Sequence, residues 1–67
     1  MKQGTIVRIM DKGYGFIKTE GMEKDLFFHS NELQNARFDD LKEGMKVEFE
    51  VADGQKGPQA VKVTILG

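Results

Sequence analysis

Lys12-Gly13-Tyr14-Gly15-Phe16-Ile17, followed closely by Leu26-Phe27-Phe28-His29, is the pair of segments whose reading decides the fold. In an extended strand, successive side chains face opposite ways. Tyr14 and Phe16 therefore share one face, and Gly15 and Ile17 the other. By the same rule Phe27 and His29 lie together, opposite Leu26 and Phe28. Two short adjacent strands would thus give one face to a core and line the other with up to four flat π systems. Burial does not account for rings on a solvent face; exposed aromatic clusters mark binding surfaces. Rings beside a lysine suit bases and phosphates.

The flanking sequence supplies the rest of a small sheet. Gly4-Thr5-Ile6-Val7-Arg8-Ile9-Met10 is rich in β-branched residues and predicts a first strand over 4–10. Asp11-Lys12-Gly13 forms the turn into a second strand, from Tyr14 to Lys18 or Thr19. The polar segment 20–24 leads to a third strand over Asp25–His29, giving a meander with short connections. Ser30-Asn31-Glu32-Leu33 carries a capping-box-like Ser followed by an acid, enough for one helical turn. Residues 34–44 show neither period and read as a long loop. Met45, Val47, Phe49 and Val51 alternate with Lys46, Glu48 and Glu50, the pattern of a half-buried fourth strand. Asp53-Gly54-Gln55-Lys56-Gly57-Pro58 reads as a loop outside any sheet. Val61, Val63 and Ile65 alternate with Lys62 and Thr64 in a fifth strand. Five short strands without a long helix predict a small closed all-β barrel, and Gly4 and Gly15 within strands fit the bends closure requires.

At 67 residues the chain makes a single domain, 1–67, near the small end of what folds unaided. It has no cysteine, so neither a disulfide nor a thiolate metal site can reinforce it. The longest apolar runs span a few residues, which indicates neither secretion nor membrane insertion and leaves a cytoplasmic protein as the expectation. The net charge of −1 argues against bulk electrostatic attraction to nucleic acid. Its distribution is uneven: residues 1–30 hold five basic groups against four acidic, residues 31–67 five against seven. The first half is the anion-facing side, and binding there leans on stacking more than on charge.

His29 is the sole histidine, and without cysteine it has no metal-ligating or nucleophilic company. No cofactor or enzymatic activity is expected; stacking or hydrogen bonding to a base suits His29 better. Asp25, at the head of the third strand, either serves the turn or accepts a hydrogen bond from a base amino group. Phe38 either stacks on a base or caps the barrel. Lys12 and Lys56 either reach phosphates or stand as solvated turn charges. Asp39, Asp40, Glu48 and Glu50 read as solvated faces that keep phosphate from the wrong side.

Lys12–Ile17 resembles the RNP1 motif and Leu26–His29 the RNP2 motif, in the order and spacing of bacterial cold shock proteins. The likeness continues through Gly4, the Phe38 loop, Leu41 with Glu43-Gly44, and Lys56-Gly57-Pro58-Gln59-Ala60. An RRM would place its RNP2 before its RNP1 and needs two helices, for which this chain has no room. The resemblance implies a five-stranded antiparallel OB-type barrel that binds single-stranded RNA and DNA on its first three strands, as an RNA chaperone or regulator of transcription or translation. By position Lys12, Tyr14, Phe16, Phe27, His29 and Phe38 would bind, with Lys56 and Gln59 at the groove edge. The chain departs from the pattern where Arg8 replaces a tryptophan, Ile9 an aromatic, and Ser30 the aromatic after the histidine; the first turn is also one residue shorter. Stacking platforms are lost, which implies weaker binding or a shorter footprint, and a guanidinium at Arg8 can recover part of it. A monomer without a small-molecule substrate is the expectation. The competing reading is a small-barrel adaptor that docks protein partners on the aromatic patch.

Overall fold

The computed structural model describes residues 2–21, 23–54 and 57–66, in which five strands close a barrel in the order β1-β2-β3-β5-β4. The strands are β1 (Lys2–Met10), β2 (Tyr14–Thr19), β3 (Leu26–His29), β4 (Lys46–Gly54) and β5 (Gly57–Ile65). Four of the five pairings are antiparallel. The fifth departs from an all-antiparallel barrel: β3 meets β5 in parallel, with Phe27 opposite Gln59. This pairing closes the barrel, which has the strand number and closure of an OB-type fold.

Alternation in β1–β4 delivers the core. Ile6, Ile17, Leu26, Phe28, Val47 and Phe49 point inward and are buried, joined by Ala60 and Val63 from β5 and by Leu41 from the connection. Thr19 is the one buried polar residue among those described, and its hydroxyl donates to the Gln3 carbonyl at 2.7 Å. Gly15 is required by closeness: a Cβ there would sit 2.6 Å from the Arg8 carbonyl oxygen and 2.8 Å from the Phe28 ring. The backbone of β1 and the buried Phe28 ring both occupy the space a side chain would need.

The alternation expected of β5 fails at one residue. Glu50 pairs with Val61 but Glu48 pairs with Thr64, so β5 carries an extra residue in a bulge. Lys62 has φ of 51°, the left-handed region that an L-residue occupies at a cost. Its N–H donates to Glu32 Oε1 at 3.3 Å, and its ammonium lies 3.6 Å from Glu50. The bulge makes Ala60 and Val63 the buried positions and turns Val61 away. On β4 the buried face ends at Phe49, since β1 begins with Lys2 opposite it. Val51 is paired with β5 alone and is 37% exposed.

Three further differences concern the connections. Asp53 pairs with Pro58 and Gly54 with Gly57, so the expected loop is a hairpin and Pro58 lies within β5. Proline is tolerated there because β3 joins β5 only from Gln59 onward. The single turn after β3 is a 3-10 helix, Ser30–Glu32, capped by the His29 side chain rather than by Ser30. The connection 34–44 contains a second 3-10 turn, Phe38–Asp40. Asn35 fastens it to the barrel: its side chain accepts from the Ile65 N–H at 2.9 Å and donates to the Ile65 carbonyl at 3.1 Å.

Candidate functional site

The outer face of β1, β2 and β3 gathers most of the expected residues, and a second bulge is what brings Arg8 among them. Ile6 faces Ile17 across the β1–β2 ladder, whereas Arg8 faces Phe16, which leaves Val7 as an extra residue on β1. In a regular strand Arg8 would share the inward side with Ile6. The bulge turns it outward, where it is exposed. Arg8, Phe16, Phe27 and Gln59 then form one row across β1, β2, β3 and β5. Met10, Tyr14 and His29 form the next row.

Tyr14, Phe16 and Phe27 make a mutual cluster. Phe16 meets Tyr14 and Phe27 edge to face, each with centroids 6.1 Å apart, and Tyr14 lies tilted against Phe27 at 5.4 Å. All three are half-buried, and the covering comes from one another and from the sheet; none belongs to the core cluster. The arrangement pre-orders three ring faces, because aromatic pairs favour edge-to-face geometry at these separations. A partner with flat π surfaces therefore meets side chains that have already lost much of their freedom.

His29 is exposed at the end of β3, opposite Tyr14. Its Nδ1 accepts the Asn31 N–H at 3.1 Å, which assigns the proton of the neutral ring to Nε2 and leaves that nitrogen as a donor. The sequence offered no sign of this role for Asn31. Lys12 is exposed in the turn beside the same end of the face. Gly13, with φ of 93°, closes that turn through its N–H to the Met10 carbonyl at 3.2 Å, and its carbonyl accepts from Ser30 N–H at 2.9 Å.

The remaining expected residues are not part of the three-ring cluster. Asp25 is exposed immediately before β3 and outside it. Phe38 is half-buried in the second 3-10 turn and packs against the core, as a barrel cap would. Gln59 is half-buried, with its amide lying over Gly54 in the space a Cβ there would claim. Lys56 lies outside the described residues.

The single ion pair among the described residues joins Lys62 of β5 to Glu50 of β4, strands that carry none of the three rings. Arg8, Lys12 and Lys18 thus keep their charge available to a ligand. No group of three side chains suited to hold a metal ion occurs among the described residues, and none of their helices is long and apolar enough to cross a membrane.

Residues 2–66 match the family model described as 'Cold-shock' DNA-binding domain. The major cold shock protein of Streptococcus pyogenes serotype M6 is 48% identical over 67 residues, covering 98% of both chains. The cold shock protein CspA of Staphylococcus saprophyticus is 46% identical over 67 residues, covering 98% of this chain and 100% of that one. Among solved structures, Drosophila Unr CSD456 matches with a TM-score of 0.81 at 30% identity; the likeness spans 98% of this chain and 26% of the longer one. The chain belongs to the cold shock domain family.

Proposed function

We propose that the protein binds single-stranded nucleic acid, RNA or DNA, by stacking unpaired bases on Tyr14, Phe16, Phe27 and His29, while Arg8, Lys12 and Lys18 engage phosphates. The observation that carries this reading is the three-ring cluster on the outer face, pre-ordered yet separate from the core. Every base has a π face, so stacking tolerates most sequences. Asp25, Gln59 and the Nε2–H of His29 supply polar edges for modest preferences. Phe38 contributes less than the cluster, because it is engaged with the core. The action is binding, without a reaction or cofactor, by a cytoplasmic monomer.

Binding of this kind opens structure without ATP. A protein that holds only the unpaired strand, present at about 100 times its Kd, shifts a hairpin toward the open form by about 2.7 kcal/mol. That is enough to melt weak hairpins, the task of an RNA chaperone or a regulator of transcription or translation.

The test is anisotropy of labelled single strands of varied composition, across a salt series. Saturable binding to all of them is expected. With three or four phosphate contacts among Arg8, Lys12, Lys18 and Lys56, log K against log salt should slope by about −2 to −3. Arg8→Trp should tighten binding and flatten that slope, since an aromatic placed opposite Phe16 extends the ring row in place of a charge. A much steeper slope in the wild type, with weaker binding by the variant, would show that charge governs the interface. Absence of binding to any strand removes the reading altogether.

A further inference from the structure

A groove of about 730 Å³ crosses the outer surface where β1 runs between β2 and β4, beyond the ring face. Thr5 lies at its centre, opposite Lys18 on one side and Lys46 on the other. Each of these three neighbours a buried inward residue, Ile6, Ile17 or Val47, so all three side chains point outward together. Lys2 borders the groove at the start of β1, opposite Phe49, and Glu20 is the one carboxylate in the lining among the described residues. Glu48, opposite Gln3, borders the row from β4. None of the three lysines has a carboxylate within ion-pair distance among the described residues.

Two unpaired lysines, Lys18 and Lys46, on one face of a concave site, with Lys2 at its border, form a positive patch on a chain whose net charge is −1. The lining holds no aromatic ring, so it suits phosphates and not bases. Lys18 joins it to the ring face, for it stands two residues beyond Phe16 on the same side of β2, about 7 Å along the strand. We propose that this groove carries the phosphodiester backbone of the same single strand after it leaves the rings. The proposal rests on the reading of the ring face above and extends its footprint.

The test compares thymidine single strands of about six and about twelve nucleotides, lengths within the range that small barrels of this type cover. In the wild type the longer strand should bind more tightly, with a salt slope steeper by about 0.7 for each added phosphate contact. Lys46→Gln and Lys2→Gln should leave the shorter strand's affinity unchanged and make the two slopes converge, while Lys46→Arg should retain the difference. Equal slopes for both lengths in the wild type, or a glutamine variant that weakens both strands alike, would overturn the groove while leaving the ring face standing. Failure of either length to bind would overturn the ring-face reading and the groove with it.

Discussion

Phe28→Ala is expected to unfold most of the chain at ambient temperature, whereas Phe27→Ala, one residue away, leaves it folded. Phe28 is completely buried and packs within the core that all five strands enclose. Truncating such a ring costs about 3–5 kcal/mol through lost transfer energy and the cavity left behind. For 67 residues the whole stability is of the order of 3–10 kcal/mol, so one ring accounts for a large part of it. Phe27 points the other way, into the ring cluster, where its loss removes an edge-to-face contact with Phe16 and a tilted one with Tyr14, worth about 0.5–1.5 kcal/mol each. Urea melts followed by circular dichroism distinguish the two. Comparable midpoint losses for both variants would mean that Phe27 also belongs to the core.

The second large effect is on binding. Phe16→Ala or Phe27→Ala should each weaken single-strand affinity by about 1–3 kcal/mol, or roughly 5- to 150-fold. The double variant should lose less than the sum, because the rings touch: removing either one also frees the other to leave its stacking orientation. Affinity is measured on the folded fraction established by the melts. Full additivity would indicate two independent platforms and no pre-ordering. Unchanged affinity in both single variants would place the bases elsewhere on the barrel.

The five strands, the β1-β2-β3 meander and the inward residues of β2 and β3 were legible because side chains alternate there without a bulge, and placing the rings of Tyr14, Phe16 and Phe27 on one face leaves Ile17, Leu26 and Phe28 for the core. Tyr14, Phe16 and Phe27 followed from the same period. The period does not carry the geometry that bulges impose. Parity from Ile6 would bury the guanidinium of Arg8, and that conflict was the available signal that β1 shifts register at Val7. In β5 no such signal exists, since Val61, Val63 and Ile65 form an apolar alternation that nothing in the sequence contradicts. The extra residue at Lys62 depends on a contact with Glu32, thirty positions away in the chain. The parallel β3–β5 pairing was hidden for a similar reason: it is set by closure of the whole barrel and rests on one residue pair. His29 as a cap depends on the direction of the chain after β3, which starts the 3-10 turn at Ser30 and leaves the capping position one residue earlier than the Ser-acid pattern implies.

The bulge at Val7 also decides what stands at the β1 end of the ring row. It presents whatever residue occupies position 8 to the ring row, so a charged Arg8 there exchanges part of the stacking surface for a planar cation. A guanidinium can lie against a base and pair with phosphate at once. The interface should therefore depend on salt through few contacts and on base stacking for most of its strength.

Tyr14 offers the most direct measurement of that central claim. It is the sole tyrosine, the chain has no tryptophan, and its ring lies in the cluster against both Phe16 and Phe27. Intrinsic emission therefore reports the proposed stacking face alone. Titration with a short single strand should quench Tyr14 saturably as a base stacks against it, and the matching duplex, whose bases are already stacked, should leave the emission unchanged over the same range. Equal affinity for single strand and duplex, or single-strand binding seen by anisotropy without any change at Tyr14, would contradict the account.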